Sequence, residues 1–90
     1  MDPDSQLYVN ELYARLEATA ALPVDPRTNR WLGEAEAVAR DAATNDLDAE
    51  TTEKRVRQVA SLLESADEPE NEEAAAHVEA ARELCETILE

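Results

Sequence analysis

The sequence predicts an all-α protein, an up-down antiparallel four-helix bundle formed by one helical domain over residues 1–90. Three observations predict it. Apolar residues recur at steps of three and four, and no segment alternates with the period of two that a strand requires. Proline-bearing or polar corners divide the chain into four stretches of similar length. The links between them are short, which favours antiparallel neighbours.

The first helix is expected over about residues 5–21, capped by Asp4 or Ser5, with Val9, Leu12, Tyr13, Leu16 and Ala20 at helical spacing. Pro23 ends it. Asp25-Pro26 then supplies a capping residue and a proline at the first helical position, where the missing N–H costs nothing. The second helix runs over about 27–44 and carries Trp31, Ala35, Val38 and Ala42 on one face. Asp48 caps the third, about 49–66, with Thr52, Val56, Val59, Leu63 and Ala66 inward. "DEPEN" breaks the chain, and Asn71 opens the fourth, about 71–89. Its Ala74, Val78, Ala81, Cys85 and Ile88 follow in alternating steps of four and three, the heptad-like spacing of near-parallel packing. "EAVARD" and "VEAARE" each follow a proline-bearing corner, a hint that the bundle is two similar αα-hairpins, although Ala-rich sequence is also self-similar by chance.

Composition limits the core and points to a setting. Hydrophobic residues make up 43%, above the range of disordered chains, but many are Ala, and the aromatics are Tyr8, Tyr13 and Trp31 alone. The formal net charge is -14, from 22 acidic and 8 basic residues, and Lys54 is the single Lys. Concentrated salt accounts for both features; the alternative is an ordinary acidic protein of a low-salt cell, against which the scarcity of Lys decides. There the Debye length shrinks to about 3 Å, so crowded carboxylates no longer repel and can hold water and cations. In dilute buffer the same charge opposes compaction. The acidic opening "MDPDSQLY" is unlike a signal peptide, and no run approaches the ~20 apolar residues needed to span a bilayer. Cys85 stands alone, so a cytoplasmic location is expected.

One segment carries a resemblance. "RWLGEAEAVA", preceded by "LEATAALPV", resembles a family of small uncharacterised helical proteins of halophilic archaea, over roughly the first half of the chain. The resemblance implies a helical fold in a salty cytosol. It implies no activity and transfers no functional residue.

Catalytic chemistry is weakly signalled. Glu50-x-x-Glu53 and Glu64-x-x-Asp67 are similar to the carboxylate pairs that bind Mg²⁺ in helical nucleotide pyrophosphohydrolases. Here all four fall on one helix, and Glu64 lies about 21 Å along its axis from Glu50, so they cannot meet on one ion. His77 and Cys85 are about 12 Å apart by the same measure, too far to share a metal. No catalytic residue, metal ligand set or cofactor is therefore expected; a metal-dependent nucleotide hydrolase is the distant alternative.

Nucleic acid is disfavoured as well. Glu11–Arg15, Glu36–Arg40, Glu50–Lys54 and Glu53–Arg57 each place the acid four residues before the base, the favourable order for helix ion pairs. Half of the basic residues are thereby paired locally, leaving no clustered phosphate footprint.

Arg27, Arg30 and Trp31 are the candidate partner-binding residues, because Trp and Arg are the commonest interface anchors. The competing reading is structural. It gives the two arginines acidic neighbours in the second corner, Asp67, Glu68 or Glu70, and turns Trp31 inward under Pro23 and Val24. Gly33 then lets another helix approach closely. The function expected is a non-enzymatic interaction or regulatory module, with a homo-oligomer of structural role as the alternative. A monomer is favoured over a homodimer, and no membrane is involved.

Overall fold

The computed structural model describes residues 3–45 and 47–90, with Pro3 described by its backbone alone. Four helices follow one another: α1 (Pro3–Thr19), α2 (Pro26–Thr44), α3 (Ala49–Ser65) and α4 (Glu72–Leu89). No strand occurs among the described residues. Each helix packs on its chain neighbours, and α4 closes the ring against α1. The closest pairs are α1 with α4 and α2 with α3, so packing ties the two chain hairpins together rather than setting them side by side.

Local chemistry fixes the helix ends. Asp25 accepts from the Arg27 N–H at 2.8 Å, Asp48 from Thr51 at 2.7 Å and Asn71 from Ala74 at 2.9 Å. Each side chain thus satisfies a donor that the first helical turn leaves open. Hydrogen bonding from Thr51, its side chain first and its backbone N–H second, holds the Asp48 carboxyl below its ordinary range. At its far end α1 stops two residues short of the expected Ala21, because the chain tightens into three-residue turns over Ala20, Ala21 and Leu22 before Pro23.

All four helices bury the same step pattern. Ser5, Val9, Leu12, Leu16 and Thr19 line α1, and Thr28, Leu32, Ala35, Ala39 and Ala42 line α2. Thr52, Val56, Val59, Leu63 and Ala66 line α3 and its cap, and Ala74, Val78, Ala81, Cys85 and Ile88 line α4. Steps of four, three, four and three throughout stack antiparallel helices into five layers. The fourth layer joins Leu16, Leu32, Leu63 and Val78, all 0–1% exposed. Small or hydroxyl side chains dominate the end layers.

The inner face of α2 differs from the expected one. Trp31 and Val38 are only half-buried, and Leu32 and Ala39 take the central positions. Trp31 and Val24 each pack on the margin of the core, while Pro23 is exposed. Tyr13 likewise lies at a margin, where its hydroxyl accepts from Arg40 Nε at 3.4 Å and ties α1 to α2. Ala20 is outside altogether.

Polar ties hold the looser seams. The α3–α4 seam is the least closely packed of the four. There Arg82 Nη2 donates to the Leu63 carbonyl at 3.0 Å. That carbonyl is one of the last four of α3, which have no partner within the helix.

The close-approach role for Gly33 is overturned. An added Cβ would meet nothing within 4 Å, and the residue is exposed. Gly inside a helix costs about 1 kcal/mol relative to Ala. Gly33→Ala should therefore raise the thermal midpoint by roughly 4–8 °C, the shift expected from that change in a domain of this size. A midpoint that falls would mean that the glycine serves the folded chain after all.

Candidate functional site

The first turns of α2 and the corner after α3 meet at one end of the bundle. Arg27, Arg30 and Trp31 stand on α2 at spacings of three and four, so they share one side of it. Asp67, Glu68 and Glu70 stand on the facing corner. Pro69 between them is buried, which anchors that corner against the end of the bundle.

Two open grooves result. One, of about 610 Å³, separates the two proline corners and is lined by Pro23, Asp25, Arg27, Thr28 and the acidic corner. The other, of about 480 Å³, runs beside it between Arg27, Arg30, Trp31, Glu34, Ser65 and Asp67. They share Arg27 and Asp67. The three candidate residues are therefore brought together, next to the acidic residues expected to neutralise them.

The ion pairs expected there are absent among the described residues. Five carboxylates pair with cations, and none of the five pairs involves Arg27 or Arg30. The four pairs anticipated from spacing do form, Glu11–Arg15 at 3.0 Å, Glu36–Arg40 at 3.5 Å, Glu50–Lys54 at 3.8 Å and Glu53–Arg57 at 3.9 Å. Glu79–Arg82 adds a fifth at 3.9 Å. Arg55, midway along α3, also lies outside these pairs, but Arg27 and Arg30 sit near a helix N-terminus, where positive charge opposes the helix dipole.

Thr28 was not singled out by its sequence context. The available signal was its place four residues before Leu32, the first position of the α2 pattern. It is 5% exposed and lines the larger groove. The buried hydroxyls of Thr19 and Thr52 donate to the carbonyls of Leu16 at 2.6 Å and Asp48 at 2.9 Å. The Thr28 hydroxyl makes no such bond among the described residues. No fully enclosed side-chain polar atom lacks a partner among the described residues, so this hydroxyl is not fully enclosed, and the residue that carries it lines the groove.

Elsewhere the titratable groups are held by structure. Among the described residues no three His, Cys, Asp or Glu side chains are placed to hold a metal ion. Glu50, Glu53 and Glu64 lie along α3, with Asp67 just past its end. His77 is half-buried, its Nδ1 lying 3.3 Å from Arg15 Nη1 across the α1–α4 seam.

Burial, with the Glu86 charge second, pushes the Cys85 thiol from 9.0 up to about 11. Unfolding exposes the thiol, which then ionises first. Above pH ~9 the unfolded chain holds fewer protons than the folded one, so stability falls as pH rises toward about 11. Cys85→Ala should flatten that alkaline loss, measured as thermal midpoint against pH. An identical slope in the variant would place the thiolate in water.

A family model described as a domain of unknown function, DUF8152, matches residues 8–90. The chain belongs to this family. The matched span of the DUF8152 domain contains α2, α3 and α4 whole, together with both corners and both grooves. No curated protein and no solved structure matches the chain. No helix of the described DUF8152 domain is long and apolar enough to cross a membrane.

Proposed function

We propose that this DUF8152 domain is a small non-enzymatic protein of a high-salt cytosol that acts by binding another protein. Arg27, Arg30 and Trp31 are its anchors. One observation carries the reading. In a chain with 22 acidic residues, two neighbouring arginines beside a half-buried Trp have no carboxylate within ion-pair distance among the described residues. A structural ion pair would supply that acceptor, as it does for five of the other six cations, Arg55 being the exception among the described residues. A partner's carboxylate, held at a rim where Trp31 offers apolar contact, suits the pair instead.

The protein acts as a monomer in this reading. The apolar arc of α4 expected as the alternative dimer face has Ala74, Val78, Ala81, Cys85 and Ile88 buried within the bundle, with Leu84 and Leu89 half-buried on its margins. No cofactor is assigned, and nucleic acid is not the partner, since four of the eight basic side chains are held in (i, i+4) ion pairs.

Affinity capture in molar KCl tests the reading. Wild-type protein should retain a stoichiometric partner, and Arg27→Ala with Arg30→Ala should lose it while stability changes by no more than about 1 kcal/mol. The same partner retained by the double variant, or metal-dependent nucleotide turnover by the wild type, would overturn it.

A further inference from the structure

We propose that the larger groove, between the two proline corners, binds a basic segment of the partner protein, a lysine or arginine side chain reaching the Thr28 hydroxyl. This names the partner's chemistry and rests on the interaction reading above.

Charge selects the ligand. Asp25, Asp67, Glu68 and Glu70 line the groove against one cation, Arg27. Asp25 is partly engaged as the α2 cap, but the three carboxylates of the facing corner form no ion pair among the described residues. A rim of this sign raises the local concentration of a positive group and steers it inward.

Geometry then separates an organic cation from a metal. A hard divalent ion needs six or more oxygens at about 2.0–2.6 Å, and these carboxylates do not converge in that way. An ammonium on a flexible stem needs only three acceptors, which can be spread around it. The Thr28 oxygen is one acceptor, carried by a lining residue that is 5% exposed; it makes no side-chain hydrogen bond among the described residues and is not fully enclosed. Pro23, Val24 and Pro69 give apolar surface for the methylene stem and the backbone that carries it. Arg27, at the edge shared by both grooves, is left for a carboxylate of the same segment.

The test uses a fluorescein-labelled peptide alternating lysine and alanine, followed by anisotropy at the lowest KCl concentration that gives the full helical signal. Asp67→Asn with Glu68→Gln and Glu70→Gln should weaken binding about tenfold, a loss typical of removing charge-assisted contacts. The control Glu83→Gln with Glu86→Gln and Glu90→Gln removes equal charge from exposed residues of α4 and its end, and should cost no more than about twofold. Thr28→Val keeps the shape, so it should leave the melting curve unchanged or higher while weakening the peptide roughly three- to tenfold.

Arg27→Ala should tighten this lysine peptide, although it weakens capture of the natural partner. Equal losses in the two triple variants would reduce the effect to diffuse attraction and overturn the proposal, as would an unaffected Thr28→Val. Spermidine bound as tightly as the peptide would overturn the assignment to a protein segment. Should the peptide fail to bind while capture through Arg27 and Arg30 persists, the basic-segment proposal falls and the interaction reading stands.

Discussion

Replacing Leu32 by Ala should cost about 2–5 kcal/mol of stability, and replacing the much larger Trp31 beside it should cost less. Leu32 is 1% exposed and shares a layer with Leu16, Leu63 and Val78, so truncation leaves a void walled by three aliphatic side chains. Rigid helices on every side limit collapse into it. Trp31 lies on the margin and is half-buried. Losing roughly half of its apolar burial is worth about 2 kcal/mol at the usual transfer coefficient, and water fills the space.

A small domain has about 5–15 kcal/mol in total and a melting midpoint that moves roughly 4–8 °C per kcal/mol. Leu32→Ala should thus be barely folded at room temperature or melt well below the wild type. Trp31→Ala should give a clear but smaller downward shift. Circular dichroism melts of the two variants decide the order. An equal or greater loss for Trp31→Ala would put the indole at the centre of α2's inner face, where its spacing with Ala35, Val38 and Ala42 suggested.

That spacing shows why part of the structure was legible and part was not. In α3 and α4 the inward residues beyond Thr52 are Val, Leu, Ile, Cys or Ala set mainly against Glu and Arg, so the pattern has one solution. The sequence therefore placed Val56, Val59, Leu63 and Val78 correctly. In α2, Ala35 and Ala42 fit two series, one through Trp31 and Val38 and one through Thr28, Leu32 and Ala39. The large indole favours the first series by hydrophobicity alone.

Packing chose the second series, because a layer shared with Leu16 and Leu63 holds a leucine without forcing the helices apart. The corner was legible from chain reversal, since short links must bring residues 23–28 and 67–71 to the same end. The unpaired state of Arg27 and Arg30 was not. It depends on where two long side chains come to rest relative to carboxylates some forty residues away. The pairs at spacing four were legible because the helix alone sets their distance.

The second large effect expected is salt-dependent folding. A net charge of -14, what remains of 22 acidic residues after all eight cations are counted, is spread over 5497 Å² of surface. The attraction opposing that repulsion comes from a modest core, in which Ala35, Ala39, Ala42, Ala66, Ala74 and Ala81 bury little area each. At about 0.1 M salt the Debye length is roughly 10 Å, so carboxylates on adjacent turns still repel; at about 1 M it falls to roughly 3 Å and they do not.

Helical signal and thermal midpoint should therefore climb steeply between dilute buffer and molar KCl. Sulfate also strengthens apolar burial, so it should stabilise at lower concentration than chloride; at equal ionic strength the difference between the two salts isolates the burial term, and the part they share is the charge term. Exchanging Asp41, Glu64 and Glu86, all exposed, for Lys reverses the charge at each position and should flatten the KCl dependence. A wild-type midpoint that is the same in about 0.1 M and about 2 M KCl, across this range of screening, would remove the high-salt setting from the proposed function. The capture experiment would then belong in ordinary buffer, where the acidic rim of the larger groove attracts a basic segment over a longer range.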